Sequence, residues 1–214
     1  MKMLWMIGMR IDGRKNDEIR KINIVPNVQT QAKGSVMIEM GKTKVLCSAS
    51  VIEEAPPFLE EGEGWVTAEY SMLPGSSPER IFRERKGVKG RTKEIERLIG
   101  RSLRSIIDLK KLGPRTIWID CDVIQADGGT RCASIDGGYL ALCYAVKKLM
   151  DEGLVTKNPI NGFIGAISIG KIKDDFLVDM CYEEDVNTDM DMNIVMVNGD
   201  RFVEIQGTAE HKTF

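Results

Sequence analysis

Asp127-Gly-Gly-Thr-Arg131 gathers what a site for a small anion requires. Gly128 and Gly129 let the chain turn without a Cβ penalty, and Arg131 adds a positive charge that is fixed at any physiological pH. A helical pattern begins at once downstream, so its first free N–H groups could converge on one spot, an arrangement suited to phosphate. The same residues also make an ordinary strand-to-helix connection with Thr130 as N-cap, and the turn alone does not separate the two readings. Farther on, Glu183 to Asn193 includes Glu184, Asp185, Asp189 and Asp191. Such a segment is either a solvated loop or a source of the oxygen ligands that hard cations take. Arg91 stands just before another helical stripe, where a basic side chain can reach an anion near the helix N-terminus or simply cap it in solvent. Between Arg80 and Arg104 there are ten Lys or Arg and three acids, so one surface could be strongly positive although the chain has a formal net charge of −2. That stretch reads equally as a solvated helix face with a basic loop. The sole histidine, His211, lies near the end of the sequence, which argues against a Ser-His-Asp or Cys-His mechanism.

The elements that must carry these residues follow from periodicity. Thr116 to Ile124 places Ile117, Ile119, Cys121 and Val123 on one face and Trp118 and Ile124 on the other, which predicts a strand covered on both sides. Ala133 to Asp151 is apolar around most of its axis and predicts a buried helix. Thr92 to Lys111 has a helical stripe at Ile95, Leu98, Ile99, Leu103, Ile106 and Ile107, with Arg97, Arg101 and Arg104 mainly outside it. Hairpins are expected at Gly41-Lys42, at Gly170 to Asp175 between strands at Phe163–Ile169 and Phe176–Cys181, and at Asn198-Gly-Asp200. Gly75 to Gly90 is polar and basic and reads as a mobile loop.

With 214 residues, 43% of them hydrophobic, the chain can bury one sizeable core. Residues 1–9 read as a loose extension before a single domain, 10–214, of two related halves at about 10–112 and 113–214. Each half has paired strands and a helix, a pattern of distant duplication. Five scattered cysteines fit a reducing cytoplasm, and no membrane span is expected. An acidic chain is not the usual nucleic-acid binder, so any nucleic acid would have to be met by a local basic surface.

The run Asp120-Cys-Asp-Val-Ile-Gln-Ala-Asp-Gly-Gly-Thr-Arg-Cys-Ala-Ser134 resembles the signature of the ribonuclease PH family. Gly90-Arg-Thr-Lys-Glu-Ile95, Gly41 to Cys47, Gly64 to Tyr70 and the approach to Asp191-Met-Asn193 are similar to the same family, and the likeness runs from about Arg10 to Glu210. The resemblance implies an α/β fold built from a duplicated β-α unit of the ribosomal-protein type, with mixed sheets carrying helices on their faces. It also implies a phosphate-dependent 3′→5′ exoribonuclease that trims tRNA precursors and releases nucleoside diphosphates. On this basis Arg91, Gly129, Thr130 and Arg131 would hold inorganic phosphate as co-substrate. Asp185 and Asp191 would be catalytic and bind Mg²⁺, and Arg80, Arg83 and Arg85 would contact RNA. The assembly implied is a ring-shaped homohexamer, a trimer of dimers, with RNA and no DNA as partner.

Three positions depart from the family pattern: Gly75 replaces a frequent arginine, Val186 a frequent serine, and Asp136 an uncharged residue. On the helix Asp136 should turn away from Arg131, face a neighbour and leave phosphate binding intact. The family's C-terminal helix has no counterpart before Phe214, so an uncovered apolar sheet surface is expected in the second half. Cys132 and the short basic loop also suit a catalytic ring subunit of an archaeal exosome, and the missing helix suits a non-catalytic RNA-binding ring component.

Overall fold

The computed structural model describes residues 10–84 and 87–209. The first half of the chain forms a five-stranded sheet in the order β1-β2-β3-β5-β4. These strands are β1 (Ile22–Pro26), β2 (Gly34–Met40), β3 (Thr43–Ile52), β4 (Trp65–Met72) and β5 (Thr116–Gln125). All neighbours are antiparallel except β4 and β5, which run parallel because α1 (Gly90–Arg104) and α2 (Leu109–Leu112) cross between them. Helix α3 (Thr130–Asp151) follows β5 and packs on β2, β3 and β5 of this sheet and on β6 of the next. Close approach explains its glycines: a Cβ on Gly137 would stand 2.7 Å from both Cys47 Sγ and Ile38 Cγ2.

The second sheet is wholly antiparallel in the order β7-β6-β8-β9, from β6 (Ile164–Ile172), β7 (Asp175–Val178), β8 (Met190–Val197) and β9 (Arg201–Ala209). A one-turn helix, α4 (Tyr182–Asp185), lies between β7 and β8. One core joins the sheets, running from Val36, Val45 and Ile119 through Ile135, Ala141 and Leu149 of α3 to Ala166 and Val195. Arg101 of α1 pairs with Glu204 of β9 at 3.1 Å and ties the halves on their far side.

Three expectations are corrected. Strand β5 is buried on one face only: Ile117, Ile119, Cys121 and Val123 are sealed, whereas Trp118, Asp120, Asp122 and Ile124 are half-buried, because α1 and α3 both pack on the same side. The stripe from Thr92 to Lys111 is two helices, since Asp108 caps α2 by accepting from Lys110 N and Lys111 N, and Ile107 bridges to Ile160. The strand at Phe176 stops at Val178, where Asp179 takes a left-handed φ of 55°. In the second half Phe202 and Ile205 of β9 are 60% and 55% exposed. Residues 1–9, Arg85 and residues from Glu210 onward, including His211, lie outside the described residues. No helix among the described residues is long and apolar enough to cross a membrane.

Candidate active site

Where β5 runs out, Gly128 and Gly129 adopt left-handed φ of 75° and 66° before α3 begins at Thr130. The residue flanking the helix is therefore Gly129, which supplies no side-chain cap, so Thr130 is not the N-cap. Its hydroxyl instead accepts from Tyr70 OH at 3.1 Å. The first intrahelical bond is Ala133 N–H to Gly129 O, which leaves the amides before Ala133 without an intrahelical acceptor.

The turn is aimed by what holds its carbonyls. Arg20 Nη1 donates to Asp127 O, and the Thr43 hydroxyl donates to Gly128 O at 2.6 Å while accepting from Asp127 N at 3.0 Å. In a trans peptide C=O and N–H point opposite ways, so the Gly128 and Gly129 amides are turned from Arg20 and Thr43. Arg20 is itself locked by Asp179, whose carboxylate accepts from Nε at 3.0 Å, Nη2 at 2.6 Å and the Arg20 backbone N at 2.7 Å. Both side chains are buried, and the Arg20 pKa is raised: the bonds and charge of Asp179 outweigh the opposing effect of burial. A side chain at Gly128 would overlap the Met180 carbonyl, which brings the turn directly against the chain leading to α4.

A second buried arginine fixes α4. Arg10 grips Glu184 with Nε at 2.9 Å and Nη2 at 2.6 Å, and Glu184 Oε2 also accepts from Cys181 N at 3.0 Å, closing a capping box over this short helix. Tyr182 N donates to Asp127 Oδ1 at 3.3 Å and joins α4 to the glycine turn. Asp185 ends α4, and Asp191 lies on β8 opposite Gly170 of β6.

These elements enclose a cavity of about 170 Å³ lined by Arg91, Gly128, Gly129, Thr130, Arg131, Asp185 and Asp191, with Ser168 and Asn193 between them. Six residues singled out from sequence, namely Arg91, Gly129, Thr130, Arg131, Asp185 and Asp191, thus share one wall-to-wall space drawn from both halves. Arg131 Nε is buried there without a hydrogen-bond partner, and its Nη2 lies 3.6 Å from Glu94, itself held by Gln206 Nε2 at 2.7 Å. The basic loop is less convergent. Arg83 lines an adjoining cleft of about 690 Å³ that shares Met72 and Arg91 with the smaller cavity. Arg80 lies in neither lining and stacks over Phe82 at 5.0 Å, and Arg85 is outside the described residues.

Asp136 behaves as expected of a residue turned from Arg131. Its Oδ1 accepts from Ala166 N of β6 at 2.8 Å, and packing against that strand pushes its carboxyl pKa up to about 7, with Asp179 adding a smaller push in the same direction.

Arg20, Thr43, Asp179 and Ser168 had no place in the sequence reading. The arginines and acids of residues 10–20 look like a polar turn, and nothing local marks a partner at Asp179. Ser168 did leave a signal: it is a polar residue in the phase of β6 that buries Ile164, Ala166 and Gly170.

Among the described residues no group of three or more His, Cys, Asp or Glu is arranged to hold a metal. Asp185 and Asp191, which line one cavity with the glycine turn, could hold Mg²⁺, a cation often bound by one or two carboxylates together with phosphates and water.

Two sheets carrying helices, which meet at a glycine turn, two arginines and two aspartates, define the class, and the chain belongs to the 3′ exoribonuclease family. The family's domain 1 matches residues 18–148 and its domain 2 residues 162–214. The chain is 55% identical over 210 residues to Ribonuclease PH of Bacillus pumilus, covering 96% of this chain and 87% of that protein. It is 54% identical over 210 residues to Ribonuclease PH of Bacillus subtilis, with 96% and 86% coverage. Its fold matches a chain of the Archaeoglobus fulgidus exosome with RNA bound to the active site at a TM-score of 0.83 and 22% identity, covering 100% of this chain and 87% of that one.

Proposed function

We infer that the protein is a phosphate-dependent 3′→5′ exoribonuclease. The observation that carries this is the single cavity in which the amide-rich turn at Gly129, Thr130 and Arg131 faces Asp185 and Asp191, in a chain of this family. Phosphate takes the part that water plays in hydrolysis. One of its oxygens attacks the phosphorus of the last phosphodiester, the bond from that phosphorus to the preceding 3′ oxygen breaks, and the departing oxygen takes a proton. The products are a nucleoside diphosphate and an RNA shorter by one residue.

Two anions must meet for this to happen. Arg91, Arg131 and the first amides of α3 offset their repulsion and the charge that builds up on the oxygens in the transition state. We assign Asp191 as donor of the proton to the 3′ oxygen, with Asp185 beside it. Mg²⁺ held by Asp185 would draw charge from the scissile phosphate. Arg80, Arg83 and Arg85 are proposed to meet the RNA, with Arg83 next to the cleft through which the chain would reach Arg91.

For the finer reading we propose tRNA precursors as substrate, the cytoplasm as location and a homohexameric ring that gathers the basic loops of several copies around one opening. Identity of 54–55% to Ribonuclease PH, against 22% to the exosome chain, favours this over an archaeal exosome subunit. The test is incubation of purified protein with a 3′-tailed tRNA and Mg²⁺, with and without phosphate. Nucleoside diphosphates should form only with phosphate; release of monophosphates, or RNA retention without shortening, contradicts the reading.

A further inference from the structure

We propose that the hydroxyl of Ser168 is a further ligand of the phosphate bound at the N-terminus of α3. This rests on the phosphate site just described and adds to it a donor from the second half of the chain.

Ser168 faces inward from β6, in register with Asn193 of β8, and Asp191 lies two residues earlier on β8 and on the same face. It is 4% exposed, and its Oγ is buried with no hydrogen-bond partner in the protein. An unpaired buried hydroxyl is costly, so a strand that keeps one in its buried phase points to a partner supplied from outside the chain. The location says what that partner is. Ser168 Oγ lies 3.9 Å from where a Cβ on Gly129 would stand, beside the glycine that opens α3, and it lines the same cavity as Gly129, Thr130 and Arg131.

A second unpaired donor meets it there. Arg131, from the other half of the chain, also lines this cavity, and its Nε is buried without a partner. Two unpaired donors from the two halves of the chain, together with helix amides that lack an intrahelical acceptor, call for a ligand that presents several acceptor oxygens at once. A tetrahedral oxyanion does so; a metal cation would leave the arginine unsatisfied. Ser168 also suits the neighbourhood of Asp185 and Asp191 because it donates a hydrogen bond without adding charge.

The experiment compares wild type with Ser168→Ala by thermal denaturation across a phosphate titration, and by steady-state rates at varied phosphate and varied RNA. Without phosphate the variant should melt at the wild-type temperature or slightly above it, since it loses no protein partner. Its phosphate affinity should fall by roughly ten- to a hundredfold, the range for a hydrogen bond to a charged group, and its KM for phosphate should rise while that for RNA stays put. Unchanged phosphate affinity overturns the proposal, and so does a clear loss of stability in phosphate-free buffer, which would reveal a partner within the protein. If wild type itself shows no phosphate affinity, the phosphate site fails together with Ser168; if wild type binds and the variant binds equally well, only Ser168 is removed.

Discussion

Asp136 gives a stability prediction that is independent of catalysis. Its carboxyl pKa is pushed up to about 7 from an ordinary 3.8, mainly by burial against β6, where it accepts a hydrogen bond from Ala166 N. A carboxyl whose pKa is raised on folding resists ionisation in the folded state but ionises freely in the unfolded chain. The stability it supports is complete below pH 3.8, declines as pH rises, and reaches its floor near pH 7. A difference of about three pKa units corresponds to about 4 kcal/mol. Because Asp136 is only partly shielded from solvent, roughly half of that, about 2 kcal/mol, is the expected size. Asp136→Asn keeps an oxygen that can accept from Ala166 N and removes the ionisation. Urea denaturation of both proteins between about pH 4 and 8 should show curves that coincide at the acid end and diverge steadily, with the asparagine variant more stable by about 2 kcal/mol at the alkaline end. A gap that is constant across this range, or wild type more stable at pH 8, would refute the argument.

Two further outcomes follow from the site. Asp191→Asn should stop release of nucleoside diphosphates while RNA still binds, as read by product chromatography beside an RNA gel shift; unchanged turnover removes Asp191 from the proton transfer. Arg20→Lys keeps the charge near Asp179 but loses the fork that also reaches the Asp127 and Gly128 carbonyls. At about 1 kcal/mol for each bond lost to the turn, KM for phosphate should rise by roughly tenfold or more with little change in KM for RNA. Equal rises in both would mean that Arg20 supports the fold alone.

Much of this architecture was legible because its signals are local. The glycine turn is written in consecutive residues, and α3, the three hairpins and the stripe of α1 follow from periods that a single segment displays. Asp136 could be placed away from Arg131 from helical geometry alone. What escaped depends on partners far apart in sequence. Arg20 and Asp179 are 159 residues apart, and neither segment shows by itself that the other exists. The break between α1 and α2 needed the bridge from Ile107 to Ile160. Strand β5 looked covered on both sides because Trp118 and Ile124 are apolar, whereas which face a helix covers is decided by packing. The candidate site falls between these cases: its pieces were readable one by one, and their meeting in one cavity is a property of tertiary structure.

The central claim is that inorganic phosphate sits between the start of α3 and the two aspartates. A crystal structure of the protein grown with phosphate and Mg²⁺ tests it most directly. A phosphate is expected within hydrogen-bond distance of the Thr130 or Arg131 amide and of Arg91, on the side facing Asp185 and Asp191. Phosphate found only elsewhere, for instance at Lys89 in the larger cleft with the smaller cavity holding water, would contradict it.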